Sequence, residues 1–295
     1  DEDHRLTTRH GTVQFTTTMH YIHRAIAALT GADGGNADSS VPALPTSTSA
    51  HNGSIGAHGA DAPQPPAGSS VLNAPACPAP LAIADIGAGT GRYSTALARE
   101  GHTVTAVELV PRNLAALEAK HEKVNCWPGD ARDLHFLADE RFDITLLLGP
   151  LYHLHTEADR LQALTEAKRI TRRGGYIFAA YVMNEYSVLT YCFKQQHIGE
   201  VIQSGALTAD FHTKPDKDNL YSYLRLEDIH ALAADAGLQR ILTFAADGAA
   251  DYLRRELNAL SESDFQHFIS YHLATSERAD LLGASSHTVD VLQKV

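Results

Sequence analysis

The segment Asp85-Ile86-Gly87-Ala88-Gly89-Thr90-Gly91 constrains the fold of this 295-residue chain more than any other. It follows the apolar run Leu81-Ala82-Ile83, which reads as a buried strand, and precedes Tyr93–Glu100, which reads as a helix closed by Gly101. Strand, glycine-rich turn and helix in that order form a loop suited to a nucleoside cofactor. Glycine matters there because a side chain would hold the backbone away from the ligand. A second apolar strand, Thr103–Val107, ends on Glu108. That carboxylate lies about 20 residues after the first glycine, where an acid that binds ribose is expected.

The alternation continues downstream. Val124–Trp127 reads as a third strand leading to Gly129-Asp130, Ile144–Leu148 as a fourth, Tyr176–Val182 as a fifth, Leu238–Ala245 as a sixth and Thr288–Leu292 as a seventh. Between them, Pro111 opens a helix at a position proline tolerates. Thr156-Glu157-Ala158-Asp159 resembles a capping box, and its helix is expected to run to Arg172-Arg173-Gly174. Ile229, Leu232, Ala233 and Ala236 mark a further helix, closed by Gly237. Such alternation implies an α/β fold with a doubly wound, mostly parallel sheet and helices on both faces.

Two segments stand outside this pattern. Phe15, Met19, Ile22, Ile26 and Leu29 recur at helical spacing and predict an amphipathic helix over about residues 12–29, within an N-terminal segment 1–30 that packs on the active site. Residues 31–80 then contain no Phe, Tyr or Trp and no Lys, Arg or Glu, and are dominated by Ala, Pro, Gly and Ser. Such a composition offers no core to offset the entropy of ordering, so 31–80 is expected to be a low-complexity flexible insert, with the main domain at 81–295.

Charge and cysteine usage narrow the partners. A formal charge of −11 disfavours docking on nucleic-acid phosphates. No run approaches the roughly 18–20 apolar residues that cross a bilayer, so no membrane partner is expected. The three cysteines, Cys77, Cys126 and Cys192, form no CxxC pair. Asp1-Glu2-Asp3 shows none of the charged-then-apolar pattern of a leader, and a reducing cytoplasm is the expected setting. Seventeen histidines invite a metal reading. His20-x-x-His23 and His153-x-His155 lack a nearby third ligand, so no metal is expected.

The third glycine of the turn follows the second by two residues, which departs from the dinucleotide pattern G-x-G-x-x-G. The fourth strand ends in Leu148-Gly149-Pro150-Leu151-Tyr152-His153-Leu154, at the carboxyl edge where open α/β sheets bind ligands. Taken in order, Asp85–Gly91, Glu108, Gly129-Asp130-Ala131, Gly149–Leu154 and Arg173-Gly174-Gly175 resemble the class I S-adenosylmethionine-dependent methyltransferases. The resemblance is strong over about 81–182 and extends less clearly to Val295. It implies a seven-stranded Rossmann-like sheet, S-adenosyl-L-methionine as cofactor and methyl transfer as the reaction. Tyr271–Arg278 resembles a bacterial subgroup of unidentified acceptor.

That resemblance implies roles for particular residues. Gly87, Ala88, Gly89 and Gly91 would let the backbone approach the methionine part of the cofactor, and Asp85 would orient its amino end. Glu108 would accept hydrogen bonds from the ribose hydroxyls, with Leu109 beside it. Asp130 would accept from the adenine amino group, with Ala131 facing the ring, and Gly149 would lie against the cofactor at the fourth strand. Tyr152 and His153 would sit beside the methyl group. His153 is the candidate general base, because a histidine titrates near neutrality. Its alternative is a packing or capping role. His272, Glu277, Arg278, His287, Arg92 and Tyr93 are further candidates.

For the acceptor, Gly149-Pro150-Leu151-Tyr152 lacks the Asn or Asp that methylases of exocyclic base amines place first. With the acidic charge, this favours a small-molecule methyl acceptor offering oxygen or nitrogen. Residues 183–225 carry Tyr186, Tyr191, Phe193, Phe211, Tyr221 and Tyr223, and are read as a lid over that acceptor or as a second small core. RNA methylation and non-catalytic, regulatory binding of S-adenosylmethionine are the alternative functions.

Overall fold

The structure is a computed structural model and describes residues 8–31 and 79–295. The insert expected at 31–80 therefore lies almost wholly outside the described residues. The chain order is α1 (Arg9–Thr30), β1 (Ala82–Ile86), α2 (Arg92–Arg99), β2 (Thr103–Glu108), α3 (Pro111–Glu118), β3 (Val124–Pro128), β4 (Phe142–Leu147), α4 (Glu157–Ile170), β5 (Thr171–Met183), α5 (Asn184–Ser187), α6 (Ile198–Gln203), β6 (Tyr223–Leu224), α7 (Leu226–Asp235), β7 (Gln239–Ala245), α8 (Arg254–Ala259), α9 (Glu262–Thr275), α10 (Ala279–Leu282) and β8 (His287–Gln293).

The strands form one sheet in the order β3-β2-β1-β4-β5-β8-β7, and the two-residue β6 extends the β5 edge at Val182 and Met183. β8 runs antiparallel to both β5 and β7; the other pairings are parallel. This is a doubly wound α/β sheet. The reversal of chain order between β1 and β4 opens a crevice above their carboxyl ends.

The central strands are mostly apolar, and β5 continuously so from Tyr176 to Met183, because both faces are covered there. In β5, Ile177, Ala179, Tyr181 and Met183 face the cluster that includes Leu164 of α4 and Leu232 of α7. Tyr176, Phe178, Ala180 and Val182 face the opposite cluster, which includes Tyr21 and Ile22 of α1 and Leu97 of α2. The amphipathic N-terminal helix is thus a wall of the main core. A third cluster joins Val13 of α1 to Leu257, Phe265 and Ile269 of α8 and α9.

Helix boundaries follow local chemistry. Thr8 caps α1, and Gly31 ends it at φ 67°. Thr156 caps α4 by accepting from the Asp159 amide at 3.0 Å. α4 stops at Ile170, earlier than its sequence suggests, because Thr171 pairs with Phe142 and begins β5.

Candidate functional site

The first glycine loop is shaped by packing as well as by dihedral angle. Gly87, Gly89 and Gly91 have φ of 72°, 57° and 81°. A Cβ on Gly87 would lie 2.4 Å from Cγ of Pro150, and one on Gly91 would lie 2.1 Å from Cδ1 of Leu117. Gly149 comes so close that its Cβ would stand 3.1 Å from the Gly87 carbonyl oxygen. The β1 and β4 loops therefore interlock at the crevice.

Asp85, 2% exposed, accepts a short hydrogen bond from Ser94 Oγ. Glu108, 5% exposed, accepts from the Gly89 amide through Oε2 at 2.7 Å and from the Val110 amide through Oε1 at 2.8 Å. Beside it the Leu109 side chain is exposed, an apolar surface at the mouth of the groove. The pairing of Glu108 with Pro128 brings Asp130 and the buried Ala131 to the next loop. Asp130 holds Arg132, with Nη2 to Oδ2 at 2.7 Å, and that guanidinium keeps the carboxyl below its ordinary pKa. A carboxylate has about four lone-pair sites, so Glu108, with two donors, retains capacity for a ligand, whereas the Asp130 oxygens already receive the Arg132 amide, Nε and Nη2.

A small cavity of about 40 Å³ is lined by Asp85, Gly87, Ala88, Gly149, Tyr152 and, from α1, Gln14. Thr90, Arg92 and Tyr93 complete its wall. α1 is held over this end by the Arg92 guanidinium, 4.2 Å above the Phe15 ring, and by the Phe15 and Tyr93 rings at 5.2 Å.

Tyr152 donates from its hydroxyl to the Leu148 carbonyl at 3.1 Å. His153 is exposed, and its Nδ1 lies 2.9 Å from the Leu220 carbonyl. A carbonyl only accepts, so Nδ1 carries the proton and the neutral ring leaves Nε2 unprotonated. Tyr221 stands 5.8 Å from Tyr152 and 5.2 Å from His153, ring to ring.

Residues 184–222 fold over the carboxyl edge as α5, a wider helical turn over Val188–Lys194, and α6. Arg225 ties this segment down through Glu185 and Asp210, and Asn184 binds Phe211 and Thr213. Tyr186, Tyr191, Tyr221 and Tyr223 line, with residues of α4 and α7, an open cavity of about 700 Å³. Tyr186 and Tyr223 also pack against the main core.

On the other side of Tyr152 stands a histidine held by a buried acid. His287 Nδ1 donates to Asp247 Oδ2 at 2.8 Å, and its ring lies 5.8 Å from Tyr152. Asp247 also accepts from the His287 amide and from Ser285 Oγ. Burial pushes its carboxyl up, but His287 and these hydrogen bonds outweigh that, and its pKa lies below the ordinary value. The remaining candidates disperse. Buried His272 donates from Nε2 to the Ala246 carbonyl, Glu277 anchors Arg24 and Tyr21 of α1, and Arg278 pairs with Asp280. Gln14 and Asp247 escaped the sequence reading. Asp247 follows β7 at the same carboxyl edge as Glu108, and that position was its available signal. Nothing in the helical pattern marks Gln14.

Among the described residues, no group of three or more His, Cys, Asp or Glu side chains is placed to hold a metal, and no helix is long and apolar enough to cross a membrane.

Residues 84–179 match the family described as "Methyltransferase domain". Over 115 residues the chain is 34% identical to a ubiquinone biosynthesis O-methyltransferase from Methylobacterium sp. (strain 4-46). That match spans 37% of this chain and 45% of the relative, less than half of its length. Solved structures similar to this chain include a methyltransferase of Methanosarcina mazei, with TM-score 0.49 and 15% identity over 73% of this chain and 93% of that one. Magnesium protoporphyrin IX methyltransferase of Synechocystis PCC 6803 has TM-score 0.47 and 12% identity over 73% and 75%. The ordered glycine turn, strand-end acids and sheet topology, together with the family match, identify residues 84–179 as a methyltransferase domain of the class I, S-adenosylmethionine-dependent type.

Proposed function

We propose that the chain transfers the methyl group of S-adenosylmethionine to an oxygen or nitrogen of a small-molecule acceptor. The carrying observation is the ring contact of Tyr152 with Tyr221. Tyr152 lines the small cavity at the glycine loop and Tyr221 the cavity of about 700 Å³ under the insertion, so cofactor and acceptor would meet at these rings.

In this reading the backbone from Gly87 to Gly91, with Ala88 and Gly149, receives the methionine portion, and Asp85 its amino end. Glu108 takes the ribose hydroxyls, Leu109 and Ala131 flank the adenine, and Asp130 accepts from its amino group. Residues 1–30 and about 183–225 cover the site from two sides, 31–80 is an insert, and 81–295 is the catalytic domain. The unpaired thiols of Cys126 and Cys192 accord with a reducing cytoplasm.

The bound cofactor supplies an electrophilic methyl group on a sulfonium. This chain's residues need only align the acceptor, exclude water and remove its proton. Two imidazoles flank Tyr152 and can take that proton: His153 through its unprotonated Nε2, and His287, whose imidazolium Asp247 would stabilise.

Calorimetry with S-adenosylmethionine and NAD tests the cofactor; tighter NAD binding would overturn the reading. Labelled methyl transfer is then measured into metabolite extract and into bulk RNA. Incorporation into the extract supports a small acceptor, and incorporation into RNA alone rejects it. Cofactor binding with no transfer to either would mark a regulatory protein. With an acceptor in hand, replacing the base, His153→Ala or His287→Ala, should lower turnover by ~10²–10⁴-fold with cofactor binding retained.

A further inference from the structure

The acceptor cavity contains a charge that the protein leaves unpaired. Arg160 of α4 lines it, yet only 7% of the residue is exposed. Its Nη1 donates to the Leu154 carbonyl at 2.6 Å and to Ser222 Oγ at 3.2 Å. Its Nε is enclosed and has no hydrogen-bond partner. Arg160 forms no ion pair among the described residues, so nothing balances its charge at contact distance. A buried guanidinium carries a desolvation cost of several kcal/mol that chains normally offset with a carboxylate.

Several other polar groups on the wall are already engaged. Lys214 donates to the Gly205 carbonyl, Asp228 accepts from the Arg225 amide, and Asp216 accepts from the Asp218 amide. His155 also lines the cavity, and its buried Nδ1 lacks a partner among the described residues. Arg160 and His155 thus each carry a nitrogen without a partner, on a wall that also holds Tyr186, Tyr191, Tyr221 and Tyr223.

We infer that the methyl acceptor carries a carboxylate, which binds Arg160 in this cavity while its apolar part lies against the tyrosines. The inference rests on the cavity being the acceptor site. A planar carboxylate suits a guanidinium edge. Glu157, Asp216 and Asp228 share the wall and oppose added negative charge, so they weigh more heavily against a phosphate dianion than against a monoanion.

The test uses the full chain saturated with S-adenosylhomocysteine. Binding of benzoate, phenylacetate and 4-hydroxybenzoate is measured by NMR titration against the matching amides and phenyl phosphate. The acids should bind at least about tenfold more tightly than the amides. That preference should vanish in Arg160→Gln and partly survive in Arg160→Lys, with S-adenosylhomocysteine affinity and melting temperature kept as controls for the site and the fold. Equal binding of acids and amides to the wild type overturns the inference. So does an acid preference that Arg160→Gln leaves intact, or tighter binding of phenyl phosphate. Failure of S-adenosylhomocysteine to bind would instead strike the proposed function.

Discussion

Glu108 Oε2 accepts the Gly89 amide at 2.7 Å, so the acid proposed to bind ribose also holds the glycine loop in place. Its other oxygen fixes Val110 at the start of the following loop. Glu108→Ala should therefore weaken S-adenosylmethionine binding by ~1–3 kcal/mol and also lower the melting temperature, because two amides lose their acceptor. Calorimetry and thermal unfolding read the two effects separately. An unchanged affinity would remove Glu108 from the site.

The interlock of the β1 and β4 loops makes Gly87 more demanding than a turn glycine. Gly87 and Gly101 both have positive φ, 72° and 96°, but a Cβ on Gly101 meets nothing within 4 Å. Gly101→Ala should cost about 1 kcal/mol from backbone strain alone. Gly87→Ala adds a collision with Pro150 and should cost more, together with cofactor binding. Urea unfolding of the two variants decides this; equal losses would mean that the loops do not interlock.

α1 should prove inseparable from the catalytic domain. Tyr21 is stacked on Phe244 at 3.9 Å, and its hydroxyl lies 2.8 Å from Ser276 Oγ. Tyr21→Ala should destabilise the protein by ~3–5 kcal/mol, as large-to-small changes in packed cores do. A loss below about 1 kcal/mol would show that α1 is only draped on the sheet.

Stability should fall on acidification below neutrality. Burial lowers the pKa of His20, His102 and His272 below 6.5. The unfolded chain then binds more protons than the folded one as pH falls through 6.5, so stability is greatest above that value and is lost progressively below it. The melting temperature should drop between about pH 7 and pH 5. His272→Gln should reduce that slope, since His272 is the most deeply buried of the three. A flat profile over this range would contradict the prediction.

The sequence by itself determined the parts whose cause is local. Apolar runs of strand length, the glycines of the first turn, the acids closing β2 and β3, and the helix caps at Thr156 and Gly237 follow from backbone preference and periodicity. Their order along the chain was enough to give the α/β alternation and the class of cofactor. The register between distant segments had no local signal. The end of α4 at Ile170 depended on Thr171 pairing with Phe142. The tyrosines of 183–225 could have built a second core, and the placement of α4 and α7 beside them leaves an open cavity that Tyr186, Tyr191, Tyr221 and Tyr223 line. Likewise Asp247 and His287 lie 40 residues apart, and they meet because β7 and β8 are neighbours in the sheet. Arg160 carries no local signal of burial, and packing between elements distant in sequence is what buries it. Contacts of that kind are set by packing between elements, which no window of the sequence contains.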